Sequence, residues 1–251
     1  MKVSIINLTY AQNDAVADTY ERGLAKSIRK IEYPDVEWLA WDNGSESSRV
    51  VPLLEDLNPA LLVAHDENIG VARAKNQLFM RASGDLIMSI DPDIVYPDKW
   101  VTRLVECHQA IPSTGLAGYY PQVGPGTSSK MKIAGQKVMA RPWGEGVYGG
   151  YMFRRDLLYT IGYLYEGYGL YGHTARDFAI RTWRTGRVCY YVGESRHLGH
   201  PGREGDYRAW KKKRRTQYTD HRRCRYSGLM SGTLPLYVKA PDRMEICTPI
   251  Q

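Results

Sequence analysis

One pattern is repeated through the first hundred residues: a short apolar run leads into a polar cluster and then a helical stretch. The runs are Val3–Ile6, Val36–Trp41, Leu61–Ala64 and Asp85–Ile90, and each has the length of a buried strand. Strands that alternate with helices form a mostly parallel sheet with helices on its faces. We therefore predict an α/β fold of this kind.

Two helices are predicted between these strands. The first begins after Asn13 or Asp14, either of which can cap it, and apolar residues recur at near-helical spacing as far as Ile31. The second, rich in Ala, Leu and Met, runs from Val71 to about Arg81.

The second half of the chain has a less regular pattern. Residues 121–148 hold several Gly and Pro, which predicts a loop or hairpin that could cover a site. Helices are predicted over Arg155–Ile161 and Ala175–Thr185, and a strand over Val188–Val192.

Three polar clusters each follow a predicted strand directly: Thr9-Tyr10, Asp42-Asn43-Gly44-Ser45 and Asp91-Pro92-Asp93. In open α/β sheets, ligands bind beyond the carboxyl ends of the strands. We therefore expect the three clusters to contribute to one common site.

The Asp91-Pro92-Asp93 triplet is a candidate metal site. Two carboxylates that flank one residue can share a divalent cation such as Mg²⁺ or Mn²⁺, which prefers oxygen ligands and keeps positions open for phosphate oxygens. The alternative is a turn before the helix that begins near Pro97-Asp98. The triplet by itself favours neither interpretation.

Taken together and in order, these motifs resemble the family 2 glycosyltransferases, which have the GT-A fold, over about residues 1 to 200. The matching segments are Thr9-Tyr10, Asp42-Asn43-Gly44-Ser45, Asn68-Ile69-Gly70-Val71-Ala72-Arg73-Ala74-Lys75-Asn76 and Asp91-Pro92-Asp93. Leu8 stands where the family usually has a proline.

The resemblance implies a metal-dependent transferase that uses a nucleotide-sugar donor, most simply a UDP-sugar, with Mn²⁺ or Mg²⁺. It assigns the metal to Asp91 and Asp93, with a histidine, His197 or His200, as a further ligand after the last predicted strand. The residues expected to bind the donor are Thr9, Tyr10, Asp42, Asn43, Asn68, Gly70, Arg73, Lys75, Asn76 and Asp91.

The acceptor half also resembles the family, with one departure. Gly149–Arg155 and Tyr171–Arg181 match family segments, but Thr174 and Ala175 stand where inverting members have the Glu-Asp pair that supplies the general base. The candidate bases are Asp177, then Glu166 and His173. A salt bridge from Asp177 to a neighbouring arginine is the structural alternative, and a retaining mechanism, which needs no such base, remains open.

The net charge of +7 is concentrated in the last fifty residues, where Lys and Arg outnumber Asp and Glu by seven. We expect a catalytic domain over residues 1–202, divided into a nucleotide-sugar half (1–95) and an acceptor half (96–202), and a basic extension over 203–251. Clustered cations among aromatic residues suit nucleic acid or an anionic membrane surface. The candidate contacts are Trp210, Lys211, Lys212, Lys213, Arg214, Arg215, Arg222, Arg223 and Arg225.

These charges leave several acceptors open. The favoured hypothesis is transfer to hydroxymethylated bases in DNA. The alternatives are a lipid-linked or polysaccharide acceptor at the membrane surface, a non-catalytic nucleic-acid-binding module on a transferase scaffold, and a nucleotidyltransferase.

Cysteine usage and hydropathy bear on the compartment. The four cysteines lie far apart, and no apolar run approaches the roughly 20 residues of a membrane span. We expect a soluble cytoplasmic protein, with a virus-infected bacterial cell as one setting in which modified DNA would be met.

Overall fold

The computed structural model describes residues 1–121, 129–140, 147–199 and 206–242. The strands are β1 Val3–Thr9, β2 Val36–Asn43, β3 Leu61–His65, β4 Leu86–Ile90, β5 Ile94–Val95, β6 Thr114–Pro121, β7 Ser129–Ile133, β8 Gln136–Ala140, β9 Tyr151–Arg154 and β10 Val188–His197. Nine of them form a sheet in the order β3-β2-β1-β4-β9-β6-β10-β8-β7, and β5 pairs with β10.

Helices flank the sheet, so the predicted α/β class is confirmed. They are α1 Asp14–Tyr20, α2 Lys26–Ile28, α3 Val50–Asp56, α4 Val71–Arg81, α5 Trp100–Ala110, α6 Leu157–Ile161, α7 Thr174–Arg184, α8 Asp206–Gln217 and α9 Thr219–Ser231. A π-helical turn, Glu21–Ala25, joins α1 to α2. Asn13 caps α1, because its side chain accepts a hydrogen bond from the Val16 amide at 3.1 Å.

Parallel pairing of β3, β2, β1 and β4 brings the predicted polar clusters to one edge of the sheet. Thr9, at the end of β1, lies opposite Asp42 on β2. The chain passes from β1 outward to β2 and β3 and then returns to the other side of β1 as β4. Such a reversal opens a crevice beyond the carboxyl ends of the strands.

Apolar side chains cover both faces of the sheet. One layer includes Trp100 and Leu104 of α5, and the other joins Phe79 of α4 to Phe153 and Phe178. Burial of the central strands on both faces explains why their sequences are continuous apolar runs.

The strand predicted over Val188–Val192 continues to His197. Its extension pairs in parallel with β6 and, at Arg196 and His197, antiparallel with Val95 and Ile94 of β5. The residues of this extension lie in a strand because their backbone groups pair with β6 and β5. Hydrophobic patterning carries no information about such pairing.

The loop or hairpin predicted over residues 121–148 contains the β7–β8 hairpin. Residues 122–128 and 141–146 lie outside the described part of the chain, and so does the predicted cover that they would form. Among the described residues, no helix is long and apolar enough to cross a membrane.

The described part of the basic extension packs against the rest of the protein. Leu229 of α9 is fully buried, and its carbonyl accepts a hydrogen bond from Arg184 of α7. Further along, the Val238 amide donates to the Ile161 carbonyl at 3.0 Å, and the Val238 carbonyl accepts from the Tyr163 amide at 2.9 Å. Residues 206–242 therefore lie against the acceptor half, and the expected separate extension is not confirmed.

Candidate functional site

A cleft opens beyond the carboxyl ends of β1 and β4, where the sequence predicted a common site. Polar and aromatic side chains from both ends of the chain line it, and those used below share this cleft. They are Thr9, Tyr10, Asn43, Asn68, Lys75, Asp91, Asp93, Tyr171, His197, Trp210 and Lys211.

Asp42 lies beneath this cleft and does not line it, contrary to its expected contact with the nucleobase. Its carboxylate accepts hydrogen bonds from the Thr9 hydroxyl at 3.0 Å and from the Ser45 hydroxyl and amide. Burial raises its pKa, although the Ser45 hydrogen bonds act in the opposite direction. Asp42 therefore fixes the loop and the Thr9 hydroxyl from below.

Asn43 and Asn68 form a hydrogen-bonded pair at the wall of the cleft. The Asn43 amide group donates to the Asn68 side-chain oxygen at 2.9 Å, and that oxygen also accepts from the Gly70 amide. Gly70 itself was expected to approach a ligand. With φ +94°, it instead lies so close to Gly169 that an added Cβ would come 2.9 Å from the Gly169 carbonyl oxygen.

Three aromatic rings lie at the mouth of the cleft. The Trp210 ring of α8 lies 5.8 Å from the ring of Tyr10 and 6.1 Å from that of Tyr171. Lys211 follows Trp210 into the cleft, where its Nζ lies 5.0 Å from the Tyr171 ring centroid. Burial lowers the pKa of Lys211 to about 8, while Asp93 and Asp91 oppose that shift.

The two acidic residues of the triplet have different partners. Asp91 faces Lys75, with 3.5 Å between Oδ1 and Nζ, and Asp93 faces His197, with 3.4 Å between Oδ2 and Nε2. Both carboxylates line the same cleft, and the assignment of the metal to Asp91 and Asp93 stays a prediction. No group of three His, Cys, Asp or Glu side chains within the described ranges is close enough to hold a metal by itself.

The backbone explains why His197 is the histidine next to Asp93. The Leu198 amide donates to the Asp93 carbonyl at 2.9 Å, which adds to the β5–β10 pairing. The His197 Nδ1 accepts from the Gly199 amide at 2.8 Å, so the neutral ring carries its proton on Nε2, towards Asp93. The hydrogen bond to Asp93 raises the pKa of His197. The other candidate, His200, lies outside the described residues.

Two ligands suffice for a cation that takes its remaining ligands from substrate and water. Mg²⁺ and Mn²⁺ bind oxygen ligands at about 2.1 Å in octahedral geometry, which places neighbouring ligands roughly 3 Å apart. The 3.4 Å between Asp93 Oδ2 and His197 Nε2 is close to that separation. The two side chains would therefore fit one divalent cation if His197 Nε2 released its proton, which would put the ring proton on Nδ1 and give up the hydrogen bond from the Gly199 amide.

A second cavity adjoins the cleft and shares Lys75, Asp91 and Tyr171 with it. Its other walls are formed by the first turn of α7 and by α8 and α9. The charged or titratable side chains that these helices and the residue before α7 add are His173, Arg176, Arg215, Arg222 and Tyr226.

His173 is the one candidate base that lines this cavity. Its Nε2 lies 3.1 Å from the Arg215 carbonyl oxygen, which can only accept a hydrogen bond, so Nε2 carries the proton and Nδ1 can accept one. Burial lowers the pKa of His173, and so do the positive charges of Arg222, Arg215 and Arg176. The ring is therefore neutral at pH 7.

Asp177, the first candidate base, is contradicted by its surroundings. It is fully buried, and its carboxylate accepts hydrogen bonds from Arg181 at 2.7 Å, Arg225 at 2.5 Å and the Tyr168 hydroxyl at 3.0 Å. A carboxylate enclosed by two guanidinium groups cannot reach an acceptor hydroxyl. Asp177 is therefore a salt-bridged structural residue, as the alternative interpretation of the sequence predicted.

Three other candidates also lie elsewhere. Asn76 is buried and binds the backbone of Leu164 in both directions, at 2.9 and 3.0 Å, and it donates to Glu166 at 2.8 Å. Glu166 and Arg73 line a surface depression beside residues 238–242, separate from the cleft. The structure therefore does not bring Glu166 or Arg73 to the cleft, and Asn76 binds backbone rather than facing it.

The basic candidates divide by position. Lys211 enters the cleft, Arg215 and Arg222 line the second cavity, and Arg225 is bound to Asp177. Arg214 lies 5.9 Å from the Trp210 ring. The exposed remainder comprises Lys212, Lys213 and Arg223.

Sequence reasoning missed Tyr171 and Arg176 as site residues. Tyr171 lies between Gly169 and Gly172, whose φ angles of +68° and +104° turn the chain into the cleft. The closely spaced glycines were the available signal. The sequence around Arg176 gave no such signal, because the ring that Arg176 contacts, that of Tyr226, belongs to α9.

The family model described as Glycosyl transferase family 2 matches residues 4–170. No curated protein matches the sequence.

Several solved structures share the fold. A mannosyltransferase from Pyrobaculum calidifontis, in complex with GDP-Man and Mn²⁺, is 18% identical with a TM-score of 0.64, over 92% of this chain and 68% of that chain. GalNAc-T7 with UDP, GalNAc and Mn²⁺ is 12% identical with a TM-score of 0.65, over 80% and 44%. Glucosyl-3-phosphoglycerate synthase from Mycobacterium tuberculosis, with Mn²⁺, UDP and glucosyl-3-phosphoglycerate, is 16% identical with a TM-score of 0.60, over 88% and 79%.

Proposed function

The chain belongs to glycosyl transferase family 2 and is a glycosyltransferase, and we propose that it moves a hexose-type sugar from a UDP-sugar to a hydroxyl acceptor with the help of Mn²⁺ or Mg²⁺. The observation that carries this proposal is one cleft that joins Thr9, Asn43 and Lys75 to the Asp93–His197 pair. Base recognition, phosphate neutralisation and metal binding would thus occur side by side.

The nucleoside would lie between β1 and α8. Tyr10 and Trp210 offer aromatic faces for a base, and base–aromatic stacking contributes about 1–3 kcal/mol. The Thr9 hydroxyl, held by Asp42, and the Asn43–Asn68 pair supply hydrogen-bonding groups next to these rings.

The diphosphate would lie near Lys75 and Lys211, whose ammonium groups share the cleft with both aspartates. Asp93 and His197 would hold the divalent cation, which as a Lewis acid stabilises the leaving diphosphate. The GDP-Man, UDP and Mn²⁺ present in the structurally similar proteins support a donor of this class.

Transfer requires that the acceptor oxygen form a bond to the anomeric carbon while the bond from that carbon to the diphosphate breaks. The electron pair of the broken bond leaves with UDP, and the proton of the acceptor hydroxyl must go to a base. Because the neutral His173 lines the cavity next to Asp91, we assign the proton to its Nδ1.

For the acceptor, we propose the hydroxyl of a hydroxymethylated base in DNA. The support is the exposed cations Lys212, Lys213 and Arg223, which lie on the same two helices as the cavity residues Arg215 and Arg222.

A lipid-linked or polysaccharide acceptor at an anionic membrane surface is the alternative. Trp210, a candidate contact to such a surface, lies with Tyr10 and Tyr171 at the cleft. This placement favours nucleotide binding over membrane anchoring for that residue.

The test is donor turnover. Purified protein with Mn²⁺ would be given UDP- and GDP-sugars together with hydroxymethylcytosine DNA, hydroxymethyluracil DNA, unmodified DNA or no acceptor, and nucleoside diphosphate release and DNA mass would be followed. We expect metal-dependent release and a hexose added only to the hydroxymethylated DNA, both lost in Asp93→Ala.

Hydrolysis of the donor that is not accelerated by any of the DNAs would support the donor assignment but overturn the proposed DNA acceptor. An absence of turnover with every donor would overturn the donor assignment.

A further inference from the structure

The second cavity has an excess of positive charge that donor binding does not explain. Arg176, Arg215 and Arg222 line it together with Lys75, and Asp91 is the one carboxylate among the lining residues that the structure describes. Arg215 and Arg222 come from α8 and α9, so the two C-terminal helices supply half of the four cations.

These arginines have no counter-charge among the side chains that the structure describes. Within that set, none of the three has a carboxylate within 4 Å, whereas Arg181 and Arg225 are both paired with Asp177. Arg176 instead lies 5.4 Å from the Tyr226 ring centroid, a cation–π contact that leaves the guanidinium charge uncompensated. Like charges gathered without counter-charges raise the electrostatic energy unless an anion binds among them.

The backbone adds to the positive electrostatic potential of the second cavity. Helix α7 is eleven residues long, and its first residues, Thr174 and Ala175, line the cavity. The N-terminus of a helix attracts anions through its partial positive charge and its amide groups. The cations and the helix end thus point to the same kind of ligand.

From this arrangement, and resting on the proposed function, we propose that the second cavity binds a phosphate group of the acceptor. Arginine binds phosphate through paired hydrogen bonds, which explains three arginines where sugar hydroxyls alone would need none. Asp91 and Lys75 line both the cleft and the second cavity. An acceptor in the second cavity would therefore have its hydroxyl next to these two residues, facing the donor, and its phosphate among the arginines.

The test uses inorganic phosphate as the probe. The whole chain is first saturated with UDP and Mg²⁺, so that phosphate cannot bind at the donor position, and the Kd of phosphate is then measured by titration calorimetry. We expect saturable binding, weakened about tenfold in Arg222→Gln and in Arg176→Gln, because each variant removes a charged hydrogen-bond donor to the phosphate.

Arg29→Gln is the control. It removes the same charge just after α2, where the side chain is 59% exposed and faces Asp56. The Kd of phosphate should not change in this variant, and the Kd of UDP should not change in any of the three.

Equal phosphate affinity in all three variants, or no saturable binding by wild-type protein that binds UDP, would overturn the proposal. If UDP itself does not bind, the donor assignment fails, and the same phosphate titration without UDP still decides the question of the cavity.

Competition identifies the source of the phosphate. A hydroxymethylated oligonucleotide, glycerol 3-phosphate and phosphatidylglycerol vesicles would each be added to the phosphate complex, with glycerol and phosphatidylcholine vesicles as uncharged or neutral controls. Displacement by one phosphate-bearing compound, weakened in Arg222→Gln, supports the proposal and names the acceptor class. Displacement by none of them contradicts an acceptor role.

Discussion

Arg225 of α9 lies against Asp177 of α7, with its Nε 2.5 Å from the Asp177 Oδ2, although 48 residues separate them in the sequence. The Arg225 side chain is 11% exposed and that of Asp177 is fully buried. Arg181 binds the other carboxylate oxygen and also donates to the carbonyls of Ile161 and Tyr163. One buried carboxylate therefore ties α9 to the acceptor half.

The first prediction concerns this link. Arg225→Ala should lower the free energy of unfolding by about 2 kcal/mol, the scale of a lost hydrogen bond to a buried charge. Arg181 and Tyr168 continue to bind Asp177, which limits the loss. Urea unfolding measures the effect, and Arg223→Ala, at an exposed neighbour, should change stability by less than about 0.5 kcal/mol. Equal values for the two variants would mean that the ion pair does not stabilise the fold.

The same pair shows what sequence alone could and could not predict. The sheet edge was predictable, because each apolar run ends in a polar cluster and parallel strands bring such ends together. Asn13 was predictable as a cap, because capping depends on neighbours three residues away. Arg181 was predictable as a partner of Asp177, because it lies one turn further along the same helix, but Arg225 was not, because the folding of α8 and α9 brings it there.

Tertiary contacts also decided the metal pair and the basic helices. Nothing local distinguishes His197 from a structural histidine, and it is the pairing of β5 with β10 that brings it to Asp93. The charge run near residue 211 predicted an exposed surface, because hydropathy cannot show that Lys211 turns inwards beside Tyr171.

The second prediction tests the Asp93–His197 pair. His197→Gln should weaken Mn²⁺ binding in the presence of UDP by at least about tenfold, because it removes an imidazole ligand. Manganese EPR measures the free ion directly. His65→Gln, in a histidine that stacks on Trp41 outside the cleft, should leave Mn²⁺ affinity unchanged. Unchanged affinity in His197→Gln would remove His197 from the metal site.

The third prediction concerns the aromatic residues of the cleft. Trp210→Ala should weaken UDP binding by roughly 10- to 100-fold, the cost of losing one base–aromatic stack. Trp210→Phe keeps an aromatic face and should recover most of the affinity. Calorimetric titration with UDP gives both values, and full affinity in the alanine variant would place the uracil away from Trp210.

The fourth prediction concerns stability in acid. His108 is fully buried, its Nε2 donates to the Met152 carbonyl at 3.2 Å, and burial lowers its pKa to about 3. Between about pH 6.5 and 3 the unfolded chain therefore binds a proton that the folded protein does not. Stability is complete above pH 6.5 and should fall by about 1.4 kcal/mol per pH unit as the pH drops through that window.

His108→Gln removes this titration and keeps an amide donor near Met152. The free energies of unfolding of variant and wild type, measured between pH 8 and 5, should therefore converge as the pH falls. Parallel curves would show that other groups dominate the acid response.

The last prediction concerns the acceptor proton. His173→Ala should lower the transfer rate by about 100-fold, the lower end of general base catalysis, while the Kd of UDP stays unchanged. In wild type the rate should fall in acid with a midpoint below 6.5, because burial and the charges of Arg222, Arg215 and Arg176 lower the pKa of His173. The Tyr226 hydroxyl donates to the His173 carbonyl and not to the imidazole ring, so the ring can titrate.

A base at this position implies direct displacement, so a UDP-α-sugar should give a β-linked product, which NMR would identify. An α-linked product, or a pH profile that is the same in His173→Ala, would exclude His173 as the base and favour retention, for which no base at this wall of the cavity is needed.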